Sequence, residues 1–402
     1  MKNDNSLAHK FIGVDSMPKT FDEIYPSKGE YIRFHLANTA FQRVLSTGEK
    51  SYSNVEKKVE KMKQGLPGFS LIDYSFSDAA LTVAMASHSG RGNMNQGFYS
   101  WKPLGATVKP EEIPKWEGTQ GEAASIVRKA GLYYGASDVG FCELDRRWVY
   151  SHTGDGRPFV FEDVEEGYVT DEKVVIPNSH KWVIAITVPM EVEEVMYAPT
   201  ALTPVARMGY SRMPITAGSL AEFIRGLGYH AIPCGNDTAI SVPIAIQAGL
   251  GHVGRHGRLI TWNEGPMVRI AKIFTDMPLA PSPMAPDGII EYCEVCEKCA
   301  KQCPSQSIPL GPRTYEGFTE ANNPGVLRWF CNADTCYEYW REIGTGCSVC
   351  FRVCSFTKER GLGHDIVKWF IRNVPLLNRF FVWSDEALGY GKMKDPRQYW
   401  KE

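Results

Sequence analysis

The sequence predicts an α+β protein with a cysteine-rich domain toward its C-terminus, and three observations support this. Helix-like and strand-like segments alternate between residues 120 and 276, which favours helices packed on a sheet. Nine of the 11 cysteines lie between Cys293 and Cys354. The chain has 402 residues, of which 43% are hydrophobic, so it is long enough for a large core and more than one structural unit.

Periodicity and end signals predict the elements of the core. A helix begins near Gly121, ends at a glycine and is followed by a strand. The sequence KWVIAITVPM (181–190) indicates a buried strand. Ser219 and Glu222 match a capping box, so we predict a helix from Ser219 to Gly228. The remaining predicted elements are a strand over 229–234, a helix over 242–251, and strands over 259–262 and 268–276.

Changes in composition divide the chain into four regions. Residues 1–117 are rich in Gly, Ser and aromatic residues and carry no sharp motif. Residues 118–280 form the predicted core, interrupted by a polar, turn-rich insertion at about 143–178. The proline-rich segment 277–288 marks the boundary to the cysteine-rich domain, 281–358. The C-terminal extension, 359–402, has apolar residues at helical spacing, interrupted by Pro375.

The composition excludes some classes of protein. A net charge of −2 argues against a protein that tracks nucleic-acid phosphates. No uninterrupted apolar run reaches the ~18 residues that indicate a membrane span. The N-terminus, MKNDNSLAHKF, has no apolar export segment and no twin-arginine pair, which is typical of a cytoplasmic protein or of a mature or truncated form without its signal. A dense cysteine block in a long chain favours metal ligation over a disulfide scaffold.

The first cysteine motif has the spacing of a bacterial ferredoxin. The sequence CEVCEKCAKQCP gives C-x2-C-x2-C-x3-C-P through Cys293, Cys296, Cys299 and Cys303. In that motif a tight loop directs three thiolates to one [4Fe–4S] cubane, and the fourth cysteine binds the other cubane. Structural zinc is the alternative because it also uses C-x2-C pairs, but zinc needs neither the third cysteine nor the proline.

The second cysteine motif keeps only part of that pattern, because its first cysteine is displaced upstream and Ser355 replaces the usual proline. With ligands crossing between motifs, one cluster is held by Cys293, Cys296, Cys299 and Cys354, and the other by Cys303, Cys336, Cys347 and Cys350. Cys331 is spare in this assignment and is an alternative to Cys336. About 290 residues precede the clusters, which is far more than a ferredoxin needs, so we expect them to hold a catalytic centre or a partner surface.

Several segments resemble the catalytic subunit of reductive dehalogenases, in that family's order, from about residue 120 to 395. They are GYS (209–211), EFIRGLGYHAIPCGND (222–237), IQAGLGHVGRHGRLIT (246–261), VRIAKIFTD (268–276), CYEYWREIGTGCSVCFRVCSF (336–356) and PLLNRFFVWSDEALGYGK (375–392). The resemblance is strongest over the cysteine block.

The resemblance implies a nitroreductase-like core that binds a corrinoid of the cobalamin type in its base-off form, and a ferredoxin-like domain with two [4Fe–4S] clusters. It implies an organohalide substrate, a low-potential electron donor and a small membrane-anchor partner. It also implies export by the twin-arginine route to the outer face of the cytoplasmic membrane, where the protein is peripheral. The missing signal fits a mature form, and a homodimer is one candidate assembly.

Three residues match the family's catalytic positions. The resemblance implies that Tyr210 is the proton donor, that Arg269 is its cationic neighbour, and that Asn236 lines the halide-side pocket. An unperturbed tyrosine has a pKa near ~10 and so holds its proton at neutral pH. A guanidinium beside it stabilises the phenolate that donation leaves, and arginine stays charged when desolvated.

A glycine-rich segment is a second candidate binding element. Its backbone NH groups and basic side chains suit the phosphate and amide groups of a corrinoid tail, and we expect contacts from Gly249, Gly251, Gly254, Arg255, His256 and Gly257. Glycine-rich turns are more often plain turns. The spacing also fails the G-x-G-x-x-G dinucleotide pattern.

The sequence leaves alternatives open for the function. A related epoxyqueuosine reductase would bring a basic surface and tighter spacing in the second cysteine motif, and a non-catalytic electron-transfer protein would lack a corrinoid. Aromatic residues of the N-terminal region are candidates for an apolar halocarbon pocket; they include Phe41, Phe69, Tyr74, Phe76 and Trp101. Because the chain is short for the family, we expect a small chlorinated alkane or alkene as substrate.

Overall fold

The computed structural model describes residues 19–52, 54–107, 112–359 and 361–401. The N-terminal region consists mainly of short helices. The side chains of Thr39, Asn54 and Ser70 cap three of these helices by accepting hydrogen bonds from backbone NH groups. These helices, α1 to α5, span Phe21–Ile24, Ala40–Ser46, Val55–Lys63, Leu71–Ala79 and Thr82–Ala86.

The middle of the chain supplies the strands and the longest helix. Strands β1 to β9 span Asp138–Glu143, Phe159–Glu162, Tyr168–Val169, Val174–Pro177, Trp182–Pro189, Ala231–Cys234, His252–Val253, Leu259–Ile260 and Val268–Thr275. Helices α6 to α9 span Gln120–Tyr133, Val192–Val195, Val205–Gly226 and Ser241–Gln247.

The core is a four-stranded antiparallel sheet in the order β1–β5–β9–β6. Side chains alternate between its two faces. On one face Ile186 and Ile273 pack with α6 and α8. On the other face Val183 and Phe274 pack with α9. The predicted layered α+β core is therefore present, with helices on both sides of the sheet.

The predicted helix from Ser219 to Gly228 is wrong at its start. Helix α8 begins at Val205, and Ser219 lies inside it with no capping role. The helix passes through Pro214 because its first half packs against α5 and β9, and this packing outweighs the cost of an interior proline. Consequently Tyr210 lies on a helix. The helix predicted over 242–251 also ends early, at Gln247.

The segment at 143–178 is more than a polar insertion. It forms a small sheet in which β4 pairs with β2 in parallel and with β3 in antiparallel orientation. Trp148, Phe159 and Val174 from this segment are buried in the core on the α9 side. The segment therefore covers one face of the central assembly, and its polar residues lie on the outside.

The cysteine-rich and C-terminal regions are helical. Helices α10 to α15 span Ile289–Cys296, Lys298–Lys301, Ala333–Ile343, Val349–Arg352, Leu362–Asn373 and Asn378–Ala387. As predicted, Pro375 interrupts the C-terminal helix, and it begins a short 3-10 turn between α14 and α15. Within the described ranges, no helix combines the length and the apolar character of a membrane span.

Candidate active site and thiol groups

The structure brings Tyr210, Asn236 and Arg269 together. Tyr210 is half-buried on α8, and the side-chain NH2 of Asn236 donates a hydrogen bond to its phenol oxygen at 2.8 Å. The guanidinium carbon of Arg269 lies 4.6 Å from the centre of the Tyr210 ring. Because Asn236 is the donor, the phenolic proton of Tyr210 stays available for another acceptor.

Local sequence explains why these side chains meet. Arg269 alternates with Ala271 and Ile273, and it therefore points to the α8 face of the sheet. Gly209 permits the contact, because a Cβ atom there would lie 2.7 Å from Cγ of Arg269. Pro214 has no backbone N–H, so the Tyr210 carbonyl lacks the helical hydrogen bond that position 214 would otherwise donate.

A buried lysine supports the turn that carries Asn236. The ammonium of Lys272 contacts the Gly235 carbonyl and donates to the Ala239 carbonyl at 3.0 Å. Next to Asn236, burial raises the pKa of Asp237 to about 6, and Lys272 acts in the opposite direction. Lys272 therefore holds the backbone of this turn from its buried side, and the exposed Asn236 side chain contacts Tyr210.

Arg91 is a site residue that the sequence analysis missed. Its guanidinium carbon lies 5.6 Å from the centre of the Tyr210 ring, so two cations face this phenol. Its backbone carbonyl accepts a hydrogen bond from the Asn236 backbone at 3.4 Å. A Cβ atom on Gly92 would come within 2.3 Å of that nitrogen, so only glycine allows this approach. No local motif marks Arg91, and only the fold shows its position.

Aromatic side chains extend from Arg91 to helix α12. The Arg91 guanidinium lies 5.2 Å from the Tyr52 ring and 5.9 Å from the Phe41 ring. Phe41 in turn packs on Tyr337 of α12 at 4.4 Å between ring centres. Among the aromatic candidates, the structure therefore places Phe41 near the site.

The other aromatic candidates lie elsewhere. Phe69 and Tyr74 pack together, with ring centres 6.3 Å apart. Phe76 packs on Trp400 near the C-terminus. Trp101 lines a separate cavity beside His180.

All 11 cysteines are free thiols, and the cysteine-rich domain gathers eight of them into two groups of four. The first thiol group lines one small cavity and consists of Cys293, Cys296, Cys299 and Cys354. Burial raises the pKa of Cys354, and its neighbours Cys293 and Cys296 raise it further. Cys354 therefore joins the other motif's three cysteines, in the crossed arrangement that the spacing predicts.

The second thiol group packs in an adjacent buried cluster and consists of Cys303, Cys336, Cys347 and Cys350. Cys331 lies in the same cluster. A hydrogen bond with Cys336 lowers the pKa of Cys331, and Arg258 acts in the same direction. The structure thus keeps Cys331 and Cys336 side by side as alternatives. Within the described residues, no three His, Cys, Asp or Glu side chains surround a point suited to a single metal ion.

Each thiol group has a tight loop with a left-handed residue directly after a cysteine. Glu297 follows Cys296 with φ +51°, and Ser348 follows Cys347 with φ +55°. Such residues are uncommon outside glycine, and they turn the chain sharply enough for the next cysteine to face the same point. The two loops therefore repeat one geometry.

The glycine-rich segment has a different role from the predicted one at several positions. The Arg255 guanidinium is buried and donates to the Cys293 carbonyl at 3.0 Å and to the Pro309 carbonyl at 2.9 Å. Its other hydrogen bonds go to the Gly311 and Glu294 carbonyls, so Arg255 supports the cysteine loop. Cβ atoms on Gly249 and Gly251 would both lie 2.1 Å from a backbone carbonyl oxygen, so these glycines serve close packing.

The other members of this segment lie closer to the second thiol group. The Nε2 atom of His256 is buried without a hydrogen-bond partner among the described residues. The ring of His256 stacks on Phe351 with centres 5.9 Å apart. A Cβ atom on Gly254 would lie 2.4 Å from Ile260, whereas one on Gly257 would be in ordinary van der Waals contact with Cys331 at 3.7 Å.

A largely aromatic and aliphatic cavity begins at Gly257. Its lining includes Tyr31, Trp148, Tyr150 and Val253. Tyr150 is also an electrostatic neighbour of Tyr210 and Asp237. The cavity therefore lies between Gly257, which is beside Cys331, and Tyr150, which is within electrostatic range of Tyr210.

Sequence comparisons match most of the chain to one protein family. The family model described as reductive dehalogenase subunit matches residues 30–156 and 151–279. The tetrachloroethene reductive dehalogenase of Sulfurospirillum multivorans is 38% identical over 316 residues, which are 75% of this chain and 62% of that protein. The chain thus spans about three fifths of the length of the curated relatives that it matches.

Solved structures share the fold. The catabolic reductive dehalogenase NpRdhA superposes with a TM-score of 0.67 at 19% identity, over 92% of this chain and 49% of that one. A reductive dehalogenase described as carrying out B12-dependent dehalogenation gives a TM-score of 0.63 at 18% identity, over 92% of this chain and 49% of that one.

Proposed function

Because the chain belongs to the reductive dehalogenase family, we propose that it is a corrinoid-dependent reductive dehalogenase. The reaction takes an organohalide, two electrons and a proton, and gives a halide ion and the compound in which hydrogen replaces that halogen. The observation that carries the proposal is the convergence of Asn236 and Arg269 on the half-buried phenol of Tyr210.

Tyr210 is the proposed proton donor. Asn236 donates to the phenol oxygen, so the phenolic hydrogen is free to move to the carbon that loses its halogen. After the transfer, the phenolate keeps the Asn236 hydrogen bond and faces the guanidiniums of Arg269 and Arg91.

The two thiol groups are the proposed ligands of two [4Fe–4S] clusters, with the crossed assignment that the spacing predicts. The fit rests on eight free and largely buried cysteine thiols in two adjacent groups, each with a tight left-handed loop. When bound, such clusters supply single electrons. Gly257 of the aromatic cavity lies beside Cys331, which packs with the second thiol group, and this suits transfer toward that cavity.

The aromatic cavity beyond Gly257 is the proposed space for a corrinoid. Flat aromatic walls suit a broad macrocycle. When bound, the corrinoid supplies the reduced cobalt that breaks the carbon–halogen bond. The protein itself orients the substrate, excludes water and delivers the proton of Tyr210.

The domain plan belongs to the same proposal. Residues 118–280 form a nitroreductase-like core, 281–358 a ferredoxin-like domain, 1–117 a region that contributes to the substrate pocket, and 359–402 a C-terminal extension. The substrate class we propose is a small chlorinated alkane or alkene, supported by a relative whose name specifies tetrachloroethene. We further propose a membrane-anchor partner, a low-potential donor and a peripheral position on the outer face of the cytoplasmic membrane.

The test is anaerobic reconstitution with iron, sulfide and corrinoid, followed by a low-potential donor and a panel of chlorinated compounds. We expect halide release from at least one small chloroalkene or chloroalkane, with a corrinoid spectrum after mild acid extraction. Release of no halide from any compound by protein that holds its iron and corrinoid would contradict the proposal.

A further inference from the structure

Ser355 occupies the position where the ferredoxin pattern has proline, and the structure gives this change a role. Its hydroxyl oxygen lies 3.6 Å from the sulfur of Cys296, in the first thiol group. Proline has no hydroxyl and cannot make this contact. The departure from the pattern therefore adds a polar group beside one proposed cluster ligand.

Ser355 also contacts a buried carboxylate from the C-terminal extension. The Ser355 hydroxyl is 3.1 Å from Oδ2 of Asp385 on α15. Asp385 pairs with Lys358 at 2.7 Å and contacts the ammonium of Lys298. We call Ser355, Asp385, Lys298 and Lys358 the lysine–aspartate network.

This network lies away from solvent. The side chains of Lys298, Lys358 and Asp385 are 1%, 8% and 8% exposed. Lys298 sits in the loop between two members of the first thiol group, Cys296 and Cys299. With two ammonium groups and one carboxylate, the network adds one positive charge next to four thiol ligands in a region of low dielectric, where charges act strongly.

We propose that the lysine–aspartate network sets the reduction potential of the cluster held by the first thiol group. This inference rests on the proposed function, because it requires that cluster. One-electron reduction makes a cluster more negative, so a nearby positive charge and a hydrogen bond to a ligand sulfur both favour the reduced form and raise the potential. These residues tune the cluster through its surroundings and contact no substrate.

In this proposal the C-terminal extension contributes through Asp385. Asp385 holds Lys298 against the ligand loop and neutralises one of the two lysines, so the network's net charge depends on this single carboxylate. Asp385 also competes with Cys296 for the Ser355 hydroxyl proton. Removal of Asp385 should therefore raise the potential, and removal of a lysine or of the Ser355 hydroxyl should lower it.

The experiment is an EPR-monitored redox titration of the full chain after anaerobic reconstitution. We expect Asp385→Asn to shift the potential of one cluster upward, and Lys298→Met and Ser355→Ala to shift it downward. The second cluster is the internal control and should keep its potential. Glu386→Gln is the matched control, because Glu386 is the exposed neighbour of Asp385 on the same helix.

The outcomes separate this inference from the proposed function. Potentials equal to wild type in Asp385→Asn, Lys298→Met and Ser355→Ala, with both clusters present, would overturn the inference and leave the function standing. If Lys298→Met fails to take up iron, the upward shift expected for Asp385→Asn and the downward shift expected for Ser355→Ala still decide the question. Absence of iron from the wild-type chain itself would instead overturn the clusters and the inference with them.

Discussion

Replacing Tyr210 with phenylalanine isolates the phenolic proton from the rest of the site. The substitution removes one oxygen and keeps the ring that packs on Arg269 at 4.6 Å. The lost hydrogen bond joins two neutral groups, and Asn236 is exposed, so water replaces Tyr210 as its partner. The free energy of unfolding should therefore fall by about 1 kcal/mol or less.

The effect on the rate should be far larger than the effect on stability. A positioned general acid contributes about 10²- to 10⁴-fold, so kcat for halide release should fall by that factor in Tyr210→Phe. The measurement is steady-state halide release at equal iron and corrinoid content. A solvent isotope effect present in the wild-type protein should change in the variant, because proton transfer then follows another route.

A second tyrosine supplies the matched control for this substitution. Tyr229 donates a hydrogen bond to the Trp116 carbonyl at 2.9 Å, so Tyr229→Phe loses a comparable bond away from the site. We expect Tyr229→Phe to keep wild-type kcat within about twofold, since it removes no acid from the site. If Tyr210→Phe also kept kcat within about threefold, Tyr210 would not be the proton donor and the proposed mechanism would be wrong.

Three further sets of substitutions test other parts of the structure. Arg91→Gln should lower kcat about tenfold, because a partly desolvated cation facing an aromatic ring contributes about 1–2 kcal/mol, and Arg91→Lys should retain part of the activity. Cys303→Ser and Cys354→Ser should each lower the iron content from about eight to about four atoms and remove different EPR signals, whereas Cys234→Ala should keep about eight. His180→Phe should flatten the fall of the melting temperature between pH 7 and pH 5.

The direction in which His180 changes stability with pH follows from its burial. Burial lowers the pKa of His180 to about 4, below the ~6.5 of an unfolded histidine. As the pH falls below that value, the unfolded chain binds a proton that the folded chain still refuses, so stability declines until about pH 4. The decline amounts to about 1.4 kcal/mol per pH unit for one group. An unchanged slope in His180→Phe would show that another group controls the acid response.

Much of the secondary structure follows from local sequence. The helix near Gly121, the strands near 181–190 and 268–276, and the break at Pro375 lie where periodicity and end signals predict them. The helix start at Ser219 was wrong because a local capping pattern carried less weight than the packing of α8 against β9 and α5. The buried Trp148 and Val174 of the supposed insertion were missed because its many polar residues concealed its strands.

The sequence by itself determined which thiols come together. The spacing of cysteines within each motif acts over a few residues, and the ferredoxin pattern pairs the two motifs. The sequence also determined Tyr210, Asn236 and Arg269 as candidates through a resemblance that covers most of the chain. Only the tertiary structure decided that Arg91 joins them and that Arg255 serves the cysteine loop.

The lysine–aspartate network is likewise a feature that only the tertiary structure reveals. Lys298 and Asp385 are 87 residues apart in the chain, and no local pattern announces that they meet. Their contact depends on how α15 packs against α10, which is a property of the assembled core. Short-range spacing fixes which groups are available for chemistry, whereas long-range packing fixes which charges surround them.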